Sequence, residues 1–142
     1  MTGREENDAI YVPPDRLIKR AQELVSKGNI GIAYTYNEPL VGYEYVADCA
    51  RLAHEKGLKN VLVTNGYICK DPFKALLQYI DAVNIDLKSY NRGFYKQVGG
   101  DLETVKQSIV IASKYCHIEV TTLVIPNEND SVSEMEELSQ WL

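Results

Sequence analysis

The segment Asn84-Ile85-Asp86-Leu87-Lys88 carries the most suggestive spacing in this 142-residue chain. If it is a strand, alternate side chains share a face. Asn84, Asp86 and Lys88 then point one way, and Val83, Ile85 and Leu87 the other. A carboxylate and an ammonium turned inward are costly to desolvate unless they pair with each other or meet a ligand. From spacing alone, a ligand-holding pair and a structural ion pair stand level. Glu38, just before Pro39, offers a second carboxylate, which reads either as a ligand contact or as an acid favoured at a helix N-terminus. In Thr64-Asn65-Gly66 the glycine ends a strand, or lets the backbone approach a ligand closely.

Other chemistry is excluded by type and spacing. Cys49, Cys69 and Cys116 are far apart in sequence, so there is no CxxC pair and no local cluster-binding run. Cys49 falls within an apolar helical pattern and reads as a small buried hydrophobe. His54 sits among Arg51, Glu55 and Lys56 as a solvent-facing residue, and His117 has no partner at metal spacing. The chain has no GxGxxG, P-loop, GxSxG or HExxH motif. No catalytic residue and no metal ligand is assigned.

The elements that position these residues alternate strictly. Pro13-Pro14-Asp15 opens a helix with Leu17, Ile18, Ala21, Leu24 and Val25 on one face, stopped by Gly28-Asn29. A strand is predicted from Ile30 to Tyr36, a helix from Val41 to Lys56, a strand over Val61–Thr64 and a helix from Pro72 to Gln78. A third strand follows from Ala82 to Leu87, then a loop over Tyr90–Gly100 with room for one helical turn. A helix is marked by Leu102, Val105, Ile109 and Ala112, and a fourth strand by Ile118 to Ile125. Ser131-Val132-Ser133-Glu134 predicts a capping box for a last helix. Alternation of this kind implies right-handed crossovers and a parallel sheet, as a barrel section or as an open doubly wound sheet. In either, function gathers at the strand C-termini. Those ends are polar here: Tyr34–Pro39, Thr64–Gly66, Asn84–Lys88 and Thr121–Asp130.

Composition suits one soluble domain over residues 1–142, with 45% hydrophobic and 25% charged residues. A formal charge of −5 and scattered basic residues argue against a nucleic-acid partner. No apolar run is long enough for a membrane span. The polar, acidic start Met1–Asp8 is unlike a secretory signal, so a cytoplasmic location is expected. The ten tyrosines are scattered and read as packing residues.

Four segments in order are similar to radical-SAM proteins. They are Ile30–Pro39, Val63-Thr64-Asn65-Gly66-Tyr67, Asn84–Lys88, and Leu123-Val124-Ile125-Pro126 with Asn129-Asp130. The nearest group is the pyruvate formate-lyase activating enzyme-like one, including its AmmeMemoRadiSam branch. The resemblance implies a section of an incomplete, TIM-like (βα)6 barrel, from its first helix to its fifth. The strand bearing the CxxxCxxC loop, and the sixth strand, are expected outside these residues. It also implies S-adenosylmethionine and a 4Fe–4S cluster as cofactors of the family protein. The implied reaction is reductive cleavage of S-adenosylmethionine to a 5′-deoxyadenosyl radical that abstracts hydrogen. A protein substrate and an electron donor are the implied partners, and this stretch by itself is expected to be inactive. Carried over residue by residue, the cofactor-binding set is Glu38, Thr64, Asn65, Asp86, Lys88 and Thr121. Tyr36-Asn37 stands where the family carries Gly-Gly, and Val63 where activating enzymes often carry Asp. The alternative is a non-catalytic, cluster-free module that binds S-adenosylmethionine or a nucleotide. Exposed sheet edges make self-association an expectation as well.

Overall fold

A computed structural model describes residues 10–142, so the acidic start Met1–Asp8 lies outside the described residues. Helix α1, Pro14–Glu23, begins on prolines that preset its first turn and buries Ile18 and Ala21. Strand β1 is Gly31–Tyr34, shorter than the predicted Ile30–Tyr36. It stops because Tyr36 and Asn37 take positive φ values of 64° and 51°, outside the extended region. A 3-10 turn, Pro39–Gly42, leads into α2, Tyr43–Glu55. Then come β2 (Lys59–Thr64), α3 (Lys70–Leu77) and β3 (Ala82–Asp86). The predicted loop over 90–100 contains a short helix, α4 (Arg92–Gln97), because Asn91 caps it by accepting from the Gly93 and Phe94 N–H groups. The chain continues through α5 (Leu102–Ala112), β4 (His117–Thr121) and α6 (Val132–Trp141).

The four strands form one parallel sheet in the order β1-β2-β3-β4. Strand order that never reverses, joined by crossovers of one hand, sends every helix to the same face. Burial agrees. Tyr34, Leu62, Val83 and Ile85 join residues of α2, α3, α5 and α6 in one core, with Ile32, Ile118 and Val120 packed against it. Ile18 and Ala21 of α1 pack with Ala53 and Leu58 at its edge. The other sheet face carries no helix among the described residues. This is the topology of consecutive βα-barrel units, and a doubly wound sheet is excluded.

Strand β4 ends four residues before the predicted Ile125. Its partner β3 ends at Asp86, opposite Thr121; the Leu87 N–H makes a last bond to the Thr121 carbonyl at 2.9 Å, and the Leu87 carbonyl is taken by the Thr122 hydroxyl at 2.8 Å and not by a backbone N–H. Leu123, Val124 and Ile125 are left exposed.

The N-terminal end of the sheet is locked by a polar network that sequence reasoning did not find. Fully buried Asn60 donates to the Ala50 and Tyr79 carbonyls, both at 2.8 Å, and accepts from the Tyr34 hydroxyl at 3.0 Å. The Asp81 carboxylate joins β2 to β3, accepting from Lys59 Nζ at 2.6 Å and from the Asn60 N–H at 2.9 Å. Conserving polar satisfaction in the interior this way makes that end structural.

Candidate functional site

The C-terminal strand ends present two separate groups of polar residues. The first surrounds Glu38. Its Oε1 accepts from the Leu40 N–H at 3.1 Å and the Thr64 hydroxyl at 2.7 Å, while Oε2 accepts from the Asn65 N–H at 2.7 Å. Of the roughly four lone-pair positions on a carboxylate, three are taken, which leaves one on Oε2. Glu38 is therefore chiefly a brace between the ends of β1 and β2, and caps the 3-10 turn after it.

Thr64 does not line the open face. Only 2% exposed, it shares the helix-side face of β2 with Asn60 and Leu62, and its hydroxyl serves Glu38 and the Gly66 N–H. Strand parity thus places Thr64, expected in one cofactor-binding set with Asp86 and Thr121, on the opposite side of the sheet from them. The residues flanking it, Val63 and Asn65, take the open side. Gly66 has a packing explanation: its φ is +69° and a Cβ there would stand 2.8 Å from Ile85 Cγ2. Core, not ligand, fills the space a side chain would need.

The second group lies on the open face of β3 and β4. Lys88 Nζ is 3.1 Å from Asp86 Oδ2, and both side chains keep 42% exposure. Beside them the Asn84 amide is bonded to the Thr121 hydroxyl, Nδ2 at 2.8 Å and Oδ1 at 3.0 Å, and reaches Glu119 at 3.3 Å. Val83, Ile85 and Leu87 are buried on the opposite side, as their alternation predicts. An ion pair this accessible is not the desolvated one that the sequence left open, and it adds at most about 1 kcal/mol to stability.

Behind Lys88 the chain is held by buried groups that sequence reasoning missed. Ser89 and Asn129 are 0% and 1% exposed. Ser131 caps α6 by accepting from the Glu134 N–H, but Glu134 does not return the bond as a capping box would. Its carboxylate instead accepts from the Ser89 hydroxyl and from the Tyr90 N–H at 2.8 Å. The turn after β3 lacks ladder partners, and that need outweighs reciprocal capping. The one available signal was the polar run Asn127–Asp130 after Pro126.

Among the described residues no three His, Cys, Asp or Glu side chains converge on a metal position. Cys49 is buried, Cys69 exposed and Cys116 half-buried, each on or beside a different element. Among the described residues no helix is long and apolar enough to cross a membrane.

One-sided βα units with a polar, solvent-open rim at the strand C-termini define a protein of the βα-barrel class. A sequence model of the Radical SAM superfamily matches residues 1–142. The chain belongs to that superfamily. An uncharacterized protein of Methanocaldococcus jannaschii is 47% identical over 107 residues, which are 74% of this chain and 31% of the relative. The 4-hydroxyphenylacetate decarboxylase activating enzyme of Clostridium scatologenes is 29% identical over 70 residues, 49% of this chain and 22% of that enzyme. The chain thus spans about a third or less of either relative. Among solved structures, a domain of pyruvate-formate lyase-activating enzyme from Bacteroides vulgatus superposes with a TM-score of 0.70 at 18% identity, covering 79% of this chain and 71% of that domain.

Proposed function

We propose that the open face at the ends of β3 and β4 binds the amino-acid end of S-adenosylmethionine, in a protein that activates a glycyl-radical enzyme. The carrying observation is the accessible Asp86–Lys88 pair. The amino-acid end of that cofactor bears one carboxylate and one ammonium, so Lys88 complements the first and Asp86 the second. Asp86 is the last residue of β3 and Lys88 follows two positions on, so both heads stand at one strand end and remain open to a ligand. Asn84 and Thr121 extend the polar strip, Asn65 stands on the neighbouring strand end, and the remaining lone pair of Glu38 can take one further donor. Thr64 supports this set through Glu38 and makes no direct contact.

When bound, S-adenosylmethionine supplies radical chemistry after reductive cleavage, while this chain's residues bind and orient it. The residues described here do not fit a 4Fe–4S cluster, since the three cysteines do not converge. Activating-enzyme relatives support a protein substrate, and the chemistry calls for an electron donor.

Titration of S-adenosylmethionine into the protein by calorimetry tests the face. Asp86→Ala and Lys88→Ala should each weaken binding about tenfold, as loss of a charge-assisted contact does. Their unfolding free energies should stay within about 1 kcal/mol of the parent. Unchanged affinity in both variants would falsify the assignment.

A further inference from the structure

We propose that Tyr95 and Asn129 are positioning residues that fix the backbone of Lys88 and so aim its ammonium at the ligand. This rests on the reading of the open face given above. Lys88 lies two residues past the end of β3, beyond the strand ladder. Its N–H donates to the Tyr95 hydroxyl at 3.1 Å, and its carbonyl accepts from Asn129 Nδ2 at 2.6 Å.

The first bond fixes the peptide plane before Cα of Lys88, and the second fixes the plane after it. Two planar peptides set φ and ψ, and these set the direction of the Cα–Cβ bond. A lysine side chain is long and rotamer-rich, so the anchor point decides what volume its ammonium can sample.

The clamps are themselves held. Tyr95, on α4, is 3% exposed. Burial pushes its phenol up to about 12, so the oxygen accepts as a neutral hydroxyl. Asn129, in the connection between β4 and α6, also donates to the Leu123 carbonyl at 2.9 Å and accepts from the Ile125 N–H at 2.6 Å. Both amide hydrogens and the carbonyl oxygen are engaged, so a rotated amide would set donors against donors. Asn129 thereby couples the post-β4 turn to the lysine.

Tyr95→Phe is the discriminating variant, since it removes one oxygen and keeps the ring. Amide hydrogen exchange read by NMR should accelerate at least about tenfold at Lys88 while β1 to β3 amides hold. Calorimetric titration with S-adenosylmethionine should show binding weakened about fivefold by Tyr95→Phe in the parent, but less than about twofold in a Lys88→Ala background. A residue acting through Lys88 loses its effect once that side chain is gone, whereas a merely structural one does not. Equal losses in both backgrounds, or unchanged exchange at Lys88, overturn the proposal. Unchanged affinity in Lys88→Ala alone overturns the ligand reading and the proposal with it, and is seen in a different variant.

Discussion

Glu38 illustrates how one side chain can read as a ligand contact and serve as a brace. Three donors from two loops converge on it, and Thr64, its partner, is buried. Removing it leaves a buried hydroxyl and two N–H groups short of an acceptor, which costs the desolvation of each. Glu38→Ala should lower unfolding free energy by about 1–3 kcal/mol in chemical denaturation. Asp86→Ala should cost much less, because its pair is solvent-open. A Glu38→Ala protein as stable as the parent would show that the brace is idle. Next to it, Tyr36 and Asn37 hold left-handed backbone where the family carries glycines. Left-handed backbone costs about 1–2 kcal/mol for the tyrosine.

At the scale of the elements, β2 and β3 are joined at their N-terminal ends through Asp81. Burial alone would raise its carboxyl, but the bonds from Lys59 and the Asn60 N–H outweigh that and hold it below the usual carboxylate range. A carboxylate with a lowered folded value stabilises the fold above its unfolded pKa of about 3.9. That contribution is lost as pH falls through the folded value. Between pH 5 and pH 3 the parent should lose more stability than Asp81→Asn, which has no such group to titrate. Parallel pH profiles for the two would remove the strand tie from the account. The capping of α6 shows the same competition between local and distant partners, with Ser131 serving the helix and Glu134 the turn after β3.

For the molecule as a whole, β1 and β4 each have a single neighbour among the described residues, and the open face exposes Ala33, Glu119 and Thr121. Unpaired parallel edges template further pairing, and exposed Leu123 and Val124 lie beside β4. We expect the 142-residue chain to self-associate, with light-scattering mass rising with concentration. A monodisperse monomer at high concentration would show that the edges are protected. Mixing with an excess of Asp86→Ala protein should leave the association unchanged, because that residue lies on the inner strand β3 and not at an edge.

Alternation of apolar and polar residues was enough to determine the βα order, the parallel sheet and the side on which Val83, Ile85 and Leu87 are buried. Those features follow from periods of 2.0 and 3.6 residues, which are local and written along the chain. The facing of Asp86 and Lys88 was legible for the same reason. Where β4 ends was not, because it depends on where β3 ends beside it. The exposure of the Asp86–Lys88 pair was also undecided until the sheet was seen to be covered on one side only. Thr64, Asn60, Tyr95 and Asn129 each take their role from at least one distant partner, as far as 41 positions away in the Lys88–Asn129 bond. Hydrogen bonds across such separations have no period, so only the folded arrangement could assign them.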